Sequence, residues 1–250
     1  MSILLVLCPI IAIGAIIDAI AGGGGLITLS AYVAVGLPPQ VALGNNKFAA
    51  AGGTTIACYR YIRNGQVDWK VGSIAILFSL AGSAVGSSLA TRFADAYLHY
   101  LLIFLVPVIA VFIMLKPDFG QAKPMDDKLA IPLSAVAGLA LGAYDGFFGP
   151  GTGMFLTIIF TSVIGLDLLR SCGTAKVVNL ASNVAALATF VRFGSIDYAI
   201  AIPCAISAII GGYIGSGLAI RGGVKVIKPV MLLVLGLLLL KVASSTFGLF

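Results

Sequence analysis

The sequence predicts an all-α polytopic membrane protein made of two inverted repeats, each of about five membrane segments, with short glycine-interrupted segments near the midplane. Three observations lead there. The first is composition: of 250 residues, 60% are hydrophobic and only 10% charged, with a mean hydropathy of +1.12. A soluble domain is about a quarter charged, because its surface must face water. The second is a succession of long apolar runs, several reaching the roughly 20 residues that cross a bilayer core of about 30 Å. The third is an internal repeat. Displaced by 129, Gly36-Leu37 falls on Gly165-Leu166, Gly44 on Gly173, Lys47 on Lys176, Arg63 on Arg192, Gly65 on Gly194 and Asp68 on Asp197. The register persists where GSAVGSSLATR meets GGYIGSGLAIR. Upstream the displacement is 127, and Asp18 meets Asp145, Gly22 meets Gly149 and Gly24 meets Gly151.

Each half reads as five segments. In the first they cover 3–21, 26–37, 41–62, 71–91 and 97–115; in the second, 129–148, 153–166, 170–192, 198–220 and 226–243. The polar stretch KPDFGQAKPMDDK (116–128) joins a first membrane repeat, 1–115, to a second, 129–250. The opening apolar run lacks a basic start and a cleavage site, and Asp18 interrupts it, so it is expected to be a retained span rather than a signal peptide.

Charge sets the orientation. If all ten segments cross and the loop holding Arg60, Arg63 and Lys70 is cytoplasmic, ten basic residues lie inside and three outside, with Lys47 and Lys176 in the membrane. Positive residues favour the cytoplasm, and both termini are then extracytoplasmic. If the short segments are re-entrant instead, that bias weakens. Opposite bias in equivalent loops is what inverted repeats predict. The net charge of +6 is accounted for by these loops and points to no nucleic acid. Tyr59, Tyr61, Trp69, Tyr97 and Tyr100 read as interfacial aromatics, and His99 belongs to the same belt. Cys8, Cys58, Cys172 and Cys204 are scattered through apolar runs without metal-ligand spacing and read as core side chains. No nucleotide loop, zinc-protease or serine-hydrolase motif is present, and the pattern implies no cofactor, no metal and no enzyme. It specifies no oligomer.

The chemistry concentrates in two places per half. Segments 26–37 and 153–166 are too short to cross an average bilayer alone, and each follows a glycine break, AGGGG (21–25) or FFGPGTG (147–153). Paired short, Gly/Pro-interrupted segments in matching positions point to a transporter binding site. Irregular backbone survives at membrane depth only where it is buried in protein or lines a wet cavity. A helix starting there offers unpaired N–H groups and its positive end to an anion. Gly52, Gly53, Gly82, Gly86, Gly211 and Gly215, inside regular helices, read as packing positions.

Lys47, beside Asn45 and Asn46, is the second feature, and Lys176 is its repeat mate. A charge at the centre of a span costs about 2.5–3.5 kcal/mol on insertion scales. Helical spacing aligns Asn179 and Asn183 with Lys176, so that face looks into the bundle or a cavity. Asp18 and Asp145, each just before a break, are the natural partners, and the expectation is one Asp–Lys pair within each half. Protonation of either acid would free its lysine for an anion, with a proton as co-ion.

AGGGGLITLSAYVAVGLPPQVALGNNKFAAAGGTTIACYRYIRNGQVDW resembles the first-half signature of the sulfite exporter TauE/SafE family of permeases. GAYDGFFGPGTGMFLTIIF, followed by GTAKVVNLASN, resembles the second-half signature. The resemblance implies a plasma-membrane carrier for sulfite, sulfonates or related organic anions. It implies a site of Gly22, Gly23, Gly24 and Gly25 with Asn45, Asn46 and Lys47, and of Gly149, Gly151, Thr152 and Gly153 with Thr174, Lys176, Asn179 and Asn183. The alternatives are an anion channel, a cation carrier using Asp18 and Asp145, or a membrane-embedded protein without transport function.

Overall fold

The computed structural model describes residues 2–92 and 124–246. The fifth predicted segment, with Tyr97, His99 and Tyr100, and the linker up to residue 123 lie outside the described residues. Nine helices follow among those described: α1 (Ser2–Ala21), α2 (Gly25–Ala34), α3 (Pro39–Arg63), α4 (Trp69–Ala90), α5 (Asp127–Phe147), α6 (Thr152–Ile159), α7 (Leu168–Arg192), α8 (Tyr198–Gly222) and α9 (Val224–Thr246). A π-helical turn, Phe160–Ile164, continues α6. No strand occurs among the described residues.

The repeated residues punctuate the same hairpin twice. Gly65 and Gly194, at φ +65° and +66°, end α3 and α7 with the left-handed residue that commonly stops a helix. Asp68 and Asp197 then cap α4 and α8, their side chains accepting the N–H groups of Lys70 and Val71 and of Ala199. The change of displacement from 127 to 129 also has a structural counterpart. The second half carries extra chain between Gly151 and Gly165, and the wide π turn takes up part of it.

Five described helices are long and apolar enough to cross a membrane: α1 from Ile3, α4, α5, α7 and α8. At 25 residues α3 is as long as α7 and α8, but Asn45, Asn46 and Lys47 lower its hydropathy. Large apolar side chains such as Leu5, Leu77, Val85, Val136 and Ile206 are exposed, the reverse of a soluble surface and the expected face towards lipid. The short α2 is 10 residues, about 15 Å of helix, or half the hydrocarbon thickness.

Packing directions follow from the residues that meet. Along α3 and α7, Gly44 lies against Ser195, Lys47 against Asn183 and Tyr61 against Gly173, so these two helices run antiparallel. On α4, Ala75, Ser79 and Ser83 meet Gly138, Gly142 and Gly146 of α5, and Ser79 and Ser83 donate to the carbonyls of Val178 and Ser182 on α7. The helices α4, α5 and α7 therefore run together. In the same way Ala12 and Ile16 of α1 meet Gly211 and Gly215 of α8, while Gly53 and Arg60 of α3 meet Gly212 and Gly217. So α1, α3 and α8 form the opposing set. Gly82, Gly86, Gly138, Gly142, Gly146, Gly211 and Gly215 stand where the partner's backbone leaves no room for a side chain.

Candidate functional site

At the end of α1 the chain turns through Gly22, at φ +84°, and at the end of α5 through Gly149 and Gly151, at +102° and +89°. Only glycine adopts these angles without strain. The two breaks touch: the Met154 N–H donates to the Gly22 carbonyl at 3.0 Å. Tyr144 steadies the second break by donating to the Pro150 carbonyl at 2.6 Å. The Thr152 hydroxyl donates to the Gly149 carbonyl at 2.7 Å. The starts of α2 and α6 thus converge, but one of the first N–H groups of α6, that of Met154, is spent joining the breaks rather than left open.

The lysines are buried and paired. Lys47 Nζ lies 2.8 Å from Asp145 Oδ2, both side chains 2% exposed, and it donates to Asn183 Oδ1 at 3.1 Å. Lys176 Nζ lies 2.8 Å from Asp18 Oδ2, with the lysine 2% and the aspartate 25% exposed. The expected pairing within each half is therefore corrected: both pairs cross between the halves. The cause is the central antiparallel contact of α3 and α7, which carries each lysine to the opposite half's break. Gly149 lies directly against the Lys47 ammonium.

A small, partly open cavity of about 50 Å³ lies at this junction, room for a few water molecules at about 10–15 Å³ each. Of the residues expected at the site, Gly22, Gly24, Gly25, Asn46, Lys47, Gly149, Gly151, Gly153, Asn179 and Asn183 line it, as do Asp18 and Asp145. Ile11, Thr54 and small side chains form the remaining wall, the latter including Gly14 and Ala15 of α1, Ala50 and Gly53 of α3, and Ala208 of α8.

The other expected residues stand elsewhere. Gly23 packs against Val234 of α9. Thr152 closes its own break, and Lys176 sits behind Asp18 outside the lining. Asn45 Oδ1 accepts the backbone N–H of Asp197 at 2.9 Å, and Thr174 Oγ1 accepts that of Asp68, also at 2.9 Å. These equivalent side chains hold the start of the opposite half's fourth helix, so their difference in type does not make the cavity asymmetric.

Sequence reasoning missed Thr28, which lines the cavity and donates to Asn46 Oδ1 at 2.6 Å. Its position one turn after the first glycine break was the available signal. Once Asn46 Oδ1 accepts that bond, the amide N–H₂ remains as its donor. The cavity thus offers amide and hydroxyl groups around a lysine, with two positive and two negative side chains in or behind its wall.

Residues 7–242 match the family described as sulfite exporter TauE/SafE. The chain is similar to the probable membrane transporter protein ORF9 of a Sinorhizobium species, with 35% identity over 222 residues, 89% of this chain and 85% of the relative. It is 32% identical over 232 residues to the probable membrane transporter protein YfcA of Escherichia coli K12, covering 93% and 86% of the two chains. A probable membrane transporter protein of Haemophilus influenzae is 32% identical over 221 residues, 88% of this chain and 87% of its own. No solved structure matches. Match and relatives agree with the apolar helices and the buried polar junction: the chain belongs to the sulfite exporter TauE/SafE family of membrane transporters.

Proposed function

We propose that this protein is a secondary transporter that moves a small sulfur-containing or organic anion, such as sulfite, a sulfonate or sulfoacetate, across the plasma membrane with a proton as co-ion. The observation that carries the reading is the junction itself. Two glycine breaks meet beside a cavity whose wall includes a buried lysine, three asparagines and two threonines. An oxyanion presents several acceptor oxygens, and Lys47, Asn46, Asn179 and Asn183 supply donors of matching chemistry. The family description names sulfite export, which agrees with this donor set.

The two halves are read as inverted repeats that rock about the junction. In support, equivalent helices run oppositely: α3 against α7, and α1, which runs with α3 and α8, against α5, which runs with α4 and α7. The repeat boundaries remain 1–115 and 129–250, with 116–128 as a cytoplasmic linker and both termini outside.

The test is ligand-dependent thermal stabilisation of the purified protein by sulfite, sulfoacetate and p-toluenesulfonate, with Lys47→Ala and Lys176→Ala beside the wild type. Stabilisation by one anion, lost in a folded lysine variant, is the expected result and names the substrate class. Equal responses in wild type and both variants would remove the lysines from the site.

A further inference from the structure

The two ion pairs occupy equivalent places in the repeat, yet their surroundings differ. Asp145 also lines the cavity but its side chain is only 2% exposed, and its lysine is held a second time by Asn183. Asp18 is a quarter exposed and lines the cavity, while its partner Lys176 is buried and does not. Most of the cavity's lining comes from the first half, with Gly14, Ala15, Ala50 and Gly53 among it, while Asp145, the second break, Asn179, Asn183 and Ala208 complete it from the second. The corresponding positions of the second half are Leu141, Gly142, Asn179 and Ser182. There Gly142 packs on the backbone of Ser79, and the Ser182 carbonyl accepts from Ser83.

We propose that Asp18 binds the proton that travels with the anion, and that its protonation unmasks Lys176 to hold the anion's charge. The inference rests on the anion-transport reading above. Charge balance argues for it. Lys47, Lys176, Asp18 and Asp145 sum to zero, so an anion entering alone leaves the junction with an uncompensated negative charge at membrane depth. A proton taken from water onto the Asp18 carboxylate breaks its ion pair with Lys176. The monoanion then replaces the carboxylate as counter-ion, and the sum returns to zero.

The groups facing Asp18 permit this role. Lys176 comes from α7, and Lys47 of α3 and Asp145 of α5 share the cavity wall. Cys58 and Tyr61 of α3 lie within electrostatic reach of Asp18. The cavity residues from α2, the breaks and α8 are glycines, Thr28 and Ala208, and α9 presents Val234 to the first break. Of the cavity's two acids, Asp18 has the more exposed side chain.

The experiment is calorimetric titration of the full-length purified protein with sulfite, sulfoacetate and p-toluenesulfonate. Each is run in two buffers of different ionisation enthalpy, with sulfite's own protonation subtracted. For a monoanion, p-toluenesulfonate or hydrogensulfite, the expected result is about one proton taken up per anion bound, with affinity falling about tenfold per pH unit. Asp18→Asn should bind with no proton uptake and a flat pH profile. Asp18→Glu keeps an acid at that place and should still take up about one proton, and in Lys176→Met, where the anion has lost its counter-ion, affinity should fall at least tenfold even if Asp18→Asn does not fold. Anion binding without proton uptake in the wild type overturns this inference alone. So does uptake that persists in Asp18→Asn, or an anion affinity unchanged in a folded Lys176→Met. If none of the three anions binds the wild type, the transport reading falls and this inference with it.

Discussion

Asn45 accepts a hydrogen bond from the backbone N–H of Asp197, tying the start of α3 to the start of α8 in the other half. Thr174 and Asp68 repeat the bond between α7 and α4. Removing an acceptor strands a part-buried N–H, at a cost of about 1–3 kcal/mol. Asn45→Ala and Thr174→Val should therefore lower the unfolding temperature while leaving anion affinity within about twofold of wild type. Thermal unfolding and binding measured on the same samples check this. A tenfold loss of affinity at wild-type stability would return both residues to the site.

The Lys47–Asp145 pair predicts a split between stability and function. Asp145→Ala leaves a buried ammonium without its carboxylate, and such losses cost about 3–5 kcal/mol. The double change Lys47→Met with Asp145→Leu removes both charges and should recover most of that stability, yet bind no anion. Unfolding curves in detergent beside the anion titration separate the two effects.

Gly173 lies against the Gln66 carbonyl with no space for a side chain. Gly173→Ala should push the α3–α4 loop away from α7 and destabilise the protein by about 1–3 kcal/mol. Gly36, at a positive φ but facing open space, should tolerate Asn, a residue that enters the left-handed region readily. The yield of folded protein from membranes compares them directly.

Thr28→Val keeps the shape of the cavity wall but removes the hydroxyl that orients Asn46. Anion affinity should fall about tenfold, equivalent to about 1.4 kcal/mol. Thr28→Ser should retain it. A valine variant that binds as the wild type does would show that Asn46 needs no orienting partner.

Much of this organisation was legible in the sequence because repetition exposes it. A lysine recurring at the same place in two apolar helices is not incidental, and the glycine breaks marked where regular backbone stops. The partner of each lysine was not legible. Asp18 and Lys47 share a half, but tertiary crossing, not chain proximity, chose Asp145. The place of Asn45 and Thr174 away from the cavity wall follows from helix geometry. Each lies two residues before its lysine, about 200° around a helix, and so on the opposite face. The resemblance supplied the motif as a block, and only helix geometry divides it into a side facing the cavity and a side gripping a loop. Thr28 escaped notice because a lone threonine in an apolar helix carries no periodic signal.

The crossing of the ion pairs also bears on how the chain is made. A ribosome delivers the first half to the bilayer with Lys47 and Asp18 both lacking their final counter-ions, since these are borne by Asp145 and Lys176. Lys47 gains its partner with α5 and Asp18 only with α7, and until then each charge must keep water around it or pair provisionally. Completion of the second half then trades those arrangements for the crossed pairs. A first half without its second therefore retains Lys47 and Asp18 without their crossed partners.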